Sequence, residues 1–128
     1  MRIAMVIVLC ALLAACSGGS PDAPTVSSVE GLHQLIEDAG FSCKDFERED
    51  ADTNAMESGD CTIDGVSVDM STYRDNGAID NVFSIIDTLG GCDDSRYVIG
   101  NRWAIFPGSN DLANDLAEAI TGATTRDC

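Results

Sequence analysis

The sequence predicts a small α+β domain, in which two β-hairpins form an antiparallel sheet that about three helices cover on one face. Apolar residues recur at helical spacing in three stretches of the chain. Between these stretches, Asp64-Gly65 and Gly100-Asn101 each separate two short strand-like segments, which is typical of hairpins. The resulting order, α-β-β-α-β-β-α, predicts two layers, with the helices packed against one side of the sheet.

Each predicted helix has one apolar face. The first spans 29–39, the second spans 80–89 after a turn at 74–77, and Ser109 or Asn110 caps the third. The inward positions are Val29, Leu32, Leu35, Ile36 and Ala39 in the first helix, Ile79, Val82, Phe83, Ile86 and Leu89 in the second, and Leu112, Ala113, Leu116, Ala117 and Ile120 in the third.

The first hairpin is the clearest local signal in the chain. Asp64-Gly65 suits a two-residue type I′ turn between strands at 61–63 and 66–73. In the second of these strands Val66, Val68 and Met70 face one way, and Ser67, Asp69 and Ser71 face the other. This alternation predicts one buried side and one solvated side.

The second hairpin joins segments 96–99 and 102–106. Gly100-Asn101 predicts a type II′ turn. Trp103 shares one face with Ile105, while Ala104 and Phe106 share the other. In so small a domain we expect Trp103 to belong to the core.

Between the first helix and the first hairpin, Phe41–Phe46 predicts an irregular strand and Glu47–Asp60 a solvated acidic loop. Asp50, Asp52 and Asn54 match the first three ligand positions of a calcium-binding EF-hand loop. The match then fails at Ala55, where a glycine is needed, and at Cys61, where a glutamate is needed. We therefore predict a charged loop, and whether it binds a cation stays open.

The N-terminus predicts export and anchoring. Arg2 precedes an apolar run at residues 3–16, which is shorter than the roughly 20 residues of a membrane span. Leu13-Ala14-Ala15-Cys16 resembles the bacterial lipobox. That resemblance implies removal of residues 1–15 by cleavage between Ala15 and Cys16, a diacylglyceryl anchor such as palmitate on Cys16, and a location on the extracytoplasmic face of the cell membrane. Residues 16–28 predict a flexible linker, and residues 29–128 a single disulfide-bonded domain.

The domain contains an even number of cysteines, namely Cys43, Cys61, Cys92 and Cys128. In an exported chain this predicts two disulfides. Three pairings are possible, and we favour Cys43–Cys61 with Cys92–Cys128 because each joins neighbouring elements. The sequence has no Cys-x-x-Cys pair, so zinc-ribbon and thioredoxin-like chemistry are not indicated.

Composition excludes one class of partner and indicates no catalytic machinery. With 22 acidic and 7 basic residues, the chain has a net charge of −15 and should repel nucleic acid. His33 is the only histidine, and it borders the apolar face of the first helix without a marked nucleophile. We predict no catalytic residues, no metal site and no cofactor. The expected partners are the membrane, through Cys16, and an unidentified envelope protein or surface component.

The arrangement also resembles small lipoproteins of high-GC Gram-positive bacteria, a family of unknown function. There a cysteine after the first helix pairs with one that opens a hairpin, here Cys43 and Cys61, and a Gly-x-x-Trp strand such as 100–105 precedes the last helix. The resemblance implies a fold, and no activity or site residue follows from it. The favoured hypothesis is a non-enzymatic binding module at the cell envelope. The alternatives are a phage-encoded lipoprotein that blocks superinfection, a hydrolase that uses carboxylates, and a calcium-binding module.

Overall fold

The computed structural model describes residues 19–51, 54–90 and 94–127, and within these ranges three helices accompany one six-stranded antiparallel sheet. The helices are α1 (Val29–Asp38), α2 (Asn76–Thr88) and α3 (Asn110–Ala119). The strands are β1 (Lys44–Glu49), β2 (Glu57–Ile63), β3 (Val66–Thr72), β4 (Arg96–Ile99), β5 (Trp103–Pro107) and β6 (Thr124–Asp127), in the sheet order β1-β2-β3-β5-β4-β6. The α+β class, the three helices and the two hairpins are confirmed.

Each helix begins at a side-chain oxygen that accepts a hydrogen bond from the backbone three residues on. Ser28 caps α1, Asp75 caps α2 and Ser109 caps α3, with N···O distances of 3.1, 2.9 and 3.3 Å. Because Asp75 satisfies an orphan N–H of the first turn, α2 starts at Asn76, inside the segment 74–77 that the sequence predicts as a turn.

The two hairpin turns differ in how well the sequence predicts them. Asp64 and Gly65 both have positive φ, 49° and 79°, as a type I′ turn requires. In the second hairpin the Gly100 N–H donates to the Trp103 carbonyl, and the positive φ, 70°, falls at Arg102. The predicted type II′ turn is therefore wrong, because the turn lies one residue later. Gly100 instead provides space, since a Cβ there would overlap the Trp103 ring.

Parts of three strands lie in segments that lack an apolar alternation. The predicted loop at 47–60 is wrong at both ends, since β1 runs to Glu49 and β2 starts at Glu57. Residues Glu57 to Ile63 of β2 pair with Thr72 to Val66 of β3. Backbone pairing with β3 therefore extends the hairpin through a polar segment. The chain end forms β6, which the sequence does not predict and which pairs with β4.

The helices lie on both faces of the sheet. Trp103 and Ile105 of β5 belong to the core that contains α1 and α3. Ala104 and Phe106 contact a second cluster, around Phe83 of α2. The structure therefore differs from the predicted two layers in the position of α2. The physical reason is that residues 103–106 form an unbroken apolar run, which places apolar side chains on both faces and requires cover on both.

The main core lies between the sheet and the pair α1 and α3. It encloses Trp103, Ile105, Val98, Val68, Met70, Ile63, Val29, Leu32, Ile36, Ala113, Leu116 and Ile120, together with Cys43 and Cys61. Trp103 is fully buried, as the sequence predicts. Among the described residues, no helix is long and apolar enough to span a bilayer.

Residues 20–26, which we call the N-terminal arm, lie against the domain instead of forming a flexible linker. The backbone N–H of Ser20 donates to the Gly100 carbonyl at 3.0 Å, and the Ser20 hydroxyl donates to the Gly122 carbonyl. The Asn101 amide donates to the Thr25 hydroxyl at 2.8 Å. The linker prediction for 16–28 therefore needs correction at its C-terminal part, because these polar groups find partners on the domain.

Candidate functional site

A cleft of about 720 Å³ opens on the face of the sheet that α2 covers. The helix covers the part of this face formed by β4 and β5, where Ile99 and Ala104 are buried beneath it. The cleft lies between α2 and the adjoining strands β1, β2 and β3. Its volume falls within the range of roughly 300–1,000 Å³ that is usual for ligand pockets.

An acidic cluster of Glu49, Asp60 and Asp69 lies at one side of the cleft, and of these three residues Glu49 and Asp69 line it. Asp60 lies directly opposite Asp69 in the register of β2 and β3, and Glu49 lies opposite Ser58 on β1 and β2. One carboxylate oxygen from each acid lies within 4.8 Å of the other two. Like charges directly opposite one another destabilise a sheet, so this arrangement favours a cation between them.

Asp60 is the most enclosed member of the acidic cluster. Its Oδ1 atom is buried and has no hydrogen-bond partner among the residues described. Asp60 itself is partly buried, whereas Glu49 and Asp69 are exposed. A buried acceptor without a donor is costly, so Asp60 is a strained member of the cluster.

The acidic cluster has the spacing of metal ligands. Ca²⁺ binds oxygens at about 2.3–2.6 Å, so two ligands across the ion lie roughly 5 Å apart. The three acids, with oxygens within 4.8 Å of one another, could therefore contact one such ion. Asp50 and Asn54 of the predicted calcium loop also line the cleft, while Asp52 lies outside the described residues.

The other side of the cleft is an apolar wall formed by Val82, Ile85 and Ile86 of α2 together with Phe106 of β5. Ile85 is 48% exposed, although it is a large aliphatic side chain. The sequence predicts Leu89 on the core face of α2, but Leu89 is 78% exposed. It follows the last residue of the helix and lies outside the apolar cluster around Phe83.

Hydroxyl groups lie between the acidic cluster and the apolar wall. Ser58 and Ser71 face each other across β2 and β3, and their hydroxyls are joined by a buried hydrogen bond of 2.9 Å. Tyr73 follows at the end of β3 and also lines the cleft. These groups add polar positions to a surface that is otherwise acidic or apolar.

The basic side chains near the site are paired elsewhere. Arg48 bonds to Glu30 at 2.7 Å and to Glu57 at 3.2 Å, and these carboxylates raise the pKa of its guanidinium. Arg126 lies 4.3 Å above the Phe83 ring, next to Asp80. Within the described ranges, the residues that line the cleft include no lysine, arginine or histidine. The cleft is therefore electronegative.

One of the two predicted disulfides lies within the described residues. Cys43 and Cys61 are bonded, with a Cα–Cα distance of 5.4 Å, and they join the start of β1 to β2. The other predicted pair, Cys92 and Cys128, lies outside the described residues. Arg96 of β4 pairs with Asp127 of β6. In the sequence, Arg96 comes four residues after Cys92 and Asp127 comes directly before Cys128, so this strand pairing is compatible with the predicted disulfide.

The predicted processing residues, Ala15 and Cys16, also lie outside the described residues. His33 lies in α1 and is partly buried at the border of the helix's apolar face, as the sequence predicts. Its Nε2 donates to the Cys43 carbonyl at 3.0 Å, and its ring stacks on Phe46 at 4.5 Å. The contacts of His33 therefore stabilise the junction between α1 and β1.

Sequence reasoning does not find the cleft, because Glu49 and Asp60 fall in the predicted loop. One signal could have found part of it. A two-residue turn at Asp64-Gly65 sets the register of the hairpin, and extending that register places Asp60 opposite Asp69. Nothing in the local sequence indicates that α2 borders these acids.

Comparison of this chain with protein-family models, with curated proteins and with solved structures found no match. The function is therefore argued from the residues of the chain and their geometry.

Proposed function

We propose that this protein is a lipoprotein anchored to the extracytoplasmic face of the cell membrane, where it acts as a non-enzymatic binding module. The lipobox-like segment Leu13-Ala14-Ala15-Cys16, after its apolar run, supports the anchor. The Cys43–Cys61 disulfide supports export, because such bonds persist mainly in oxidising compartments.

The cleft is the observation on which the binding role depends. It combines an acidic cluster, an apolar wall with a half-exposed isoleucine, and a volume suited to several side chains. Binding sites commonly combine apolar surface for affinity with a few converging polar groups for orientation. The partner is an envelope protein or another surface component, and the negative charge of the chain argues against nucleic acid.

Site-specific photo-crosslinking in the native membrane tests this function. A photoreactive side chain replaces Ile85 in the full-length protein, and the matched control places it at Glu118, which is exposed on α3 across the sheet. We expect a defined crosslinked species from position 85 that is absent from position 118. Equal labelling at the two positions would contradict a binding role for the cleft.

A hydrolase that uses carboxylates is the second candidate, and the convergence of three acids, two of which line the cleft, is the observation that favours it. General acid–base catalysis needs such groups within reach of a substrate. Release of soluble fragments from isolated cell wall, abolished by Glu49→Gln and unaffected by Asp115→Asn, would favour the enzyme. An equal rate with and without the protein would favour the binding module.

A further inference from the structure

We infer that the occupant of the cleft is a segment of a partner protein that presents a lysine or arginine side chain next to an aliphatic one. This inference deepens the proposed binding function and depends on it. It follows from three features of the cleft, namely its electronegative side, its apolar wall and its size.

The acidic cluster selects the charge of the occupant. Three carboxylate oxygens within 4.8 Å of one another attract a cation, and the lining of the cleft contains no basic residue among those described. An ammonium or guanidinium group also supplies several N–H donors, which can bond the exposed carboxylates of Glu49 and Asp69 that line the cleft. An acidic segment would instead place further negative charge beside these carboxylates.

The apolar wall distinguishes a polypeptide from a bare metal ion. An ion bound by Glu49, Asp60 and Asp69 would leave Ile85 and its neighbours in contact with water. Burial of Ile85, which is 48% exposed, needs apolar atoms from the occupant. The cleft of about 720 Å³ is also far larger than one hydrated ion. A basic residue beside an aliphatic residue provides both kinds of contact.

The charge of the whole chain favours the same partner. With a net charge of −15, the protein attracts cationic segments over distances set by the Debye length and repels anionic ones. Binding should therefore weaken as ionic strength rises, and most of that change should appear in the association rate.

A labelled peptide tests this inference on the full-length chain, purified from membranes in a non-ionic detergent. The probe is acetyl-Gly-Lys-Leu-Lys-Leu-Gly-amide with an uncharged dye, and binding is followed by fluorescence anisotropy. We expect Glu49→Gln/Asp69→Asn and Ile85→Ser each to weaken binding by about tenfold or more, which corresponds to loss of a charge-assisted bond or of apolar burial.

The matched variants change the same chemistry away from the cleft. Asp115→Asn/Glu118→Gln removes two exposed charges from α3, and Leu89→Ser removes an exposed aliphatic side chain that does not line the cleft. We expect both variants to bind the peptide like the unaltered protein. Circular dichroism of every variant separates loss of binding from loss of fold.

Three results would overturn the inference. A peptide with glutamate in place of lysine could bind equally well, or a peptide with serine in place of leucine could do so. Calcium or spermidine could also bind the acidic cluster without being displaced by the peptide. If the peptide fails while crosslinking from position 85 still yields its defined species, the inference is wrong and the proposed binding function stands. If both experiments fail, both are wrong.

Discussion

The indole N–H of Trp103 donates a hydrogen bond to the carbonyl oxygen of Pro24, and the two atoms are 2.8 Å apart. The ring of Trp103 is fully buried, so its N–H needs an acceptor within the protein. The N-terminal arm supplies that acceptor, and Ala23 beside it is 5% exposed. The arm is therefore part of the folded domain, and its contacts should contribute to stability.

Substitution of Gly122 tests the contribution of the arm. Gly122 and Gly65 have nearly equal positive φ, 80° and 79°, so alanine strains the backbone similarly at each. At Gly122 the added Cβ would also overlap the backbone of Asp22, whereas at Gly65 it meets open space. We expect Gly65→Ala to lower the free energy of unfolding by about 1 kcal/mol and Gly122→Ala by about 2–3 kcal/mol. Urea unfolding followed by Trp103 fluorescence measures both, and equal losses would contradict a packed arm.

Removal of the Cys43–Cys61 disulfide should destabilise the fold. The bond closes a loop with a sequence separation of 18 residues, which limits the conformations of the unfolded chain. We expect Cys43→Ala/Cys61→Ala to lower the free energy of unfolding by about 3 kcal/mol under non-reducing conditions. In a reducing agent, the free energy of unfolding of the unaltered protein should fall to nearly that of the double variant. Equal stability without reducing agent would mean that the bond does not form.

The pair formed by Arg96 and Asp127 predicts an acid-dependent contribution to stability. Arg96 donates from Nε and Nη2 to the two carboxylate oxygens, at 2.6 and 3.4 Å, and this hydrogen bonding lowers the pKa of Asp127 below its ordinary value of 3.8. The contribution is therefore present above pH 3.8 and disappears as the pH falls through the lowered pKa. We expect the stability difference between the unaltered protein and Asp127→Asn to shrink over that interval. Denaturant midpoints between pH 6 and pH 2 measure it, with Asp115→Asn as the control, and a constant difference would contradict the role of the pair.

Neutralisation of the acidic cluster should stabilise the protein when no partner is bound. Asp69 lies opposite Asp60, and like charges at such positions weaken a sheet. We expect Asp60→Asn to raise the free energy of unfolding by about 0.5 kcal/mol at low ionic strength, and less at high salt. Asp115→Asn on α3 is the control for net charge. A loss of stability in Asp60→Asn would show that the Asp60 carboxylate has a structural role.

The intact mass of the mature protein tests the anchor and the second disulfide. In material from membranes, we expect a chain that starts at Cys16 and bears two acyl chains. Complete reduction should add four hydrogen atoms, two for each disulfide, whereas Cys92→Ala/Cys128→Ala should gain only two. Cys16→Ser should remain unprocessed and without lipid. An unlipidated mature chain would remove the basis for placing the protein on the membrane.

Local patterns were sufficient for the elements that have strong signals. Helical spacing of apolar residues located α1 and the start of α3 within about a residue, and Asp64-Gly65 located the first hairpin turn. The positions of Cys43 and Cys61 beside neighbouring elements predict their pairing, and the structure confirms this disulfide. These features depend on short-range chemistry such as capping, turn geometry and the period of a helix.

Strand pairing accounts for what local patterns missed. The polar segments Glu57–Asp60 and Thr124–Asp127 become strands because a neighbouring strand provides backbone hydrogen-bond partners. The local sequence does not predict which strand will be the neighbour. The N-terminal arm has the composition of a linker, yet it packs because the Trp103 indole and the turn at 100–102 present hydrogen-bonding groups to it.

By itself, the sequence determined the fold class, the number of helices, the position of α1, one hairpin turn, one disulfide, the strong negative charge and the burial of Trp103. Only the tertiary structure decided that α2 lies across the sheet from α1 and α3. The same choice places the apolar wall next to the acidic cluster and so forms the cleft. The physical reason is that periodicity reveals which side of an element is apolar. Which face of the sheet that side covers depends on contacts between residues distant in sequence.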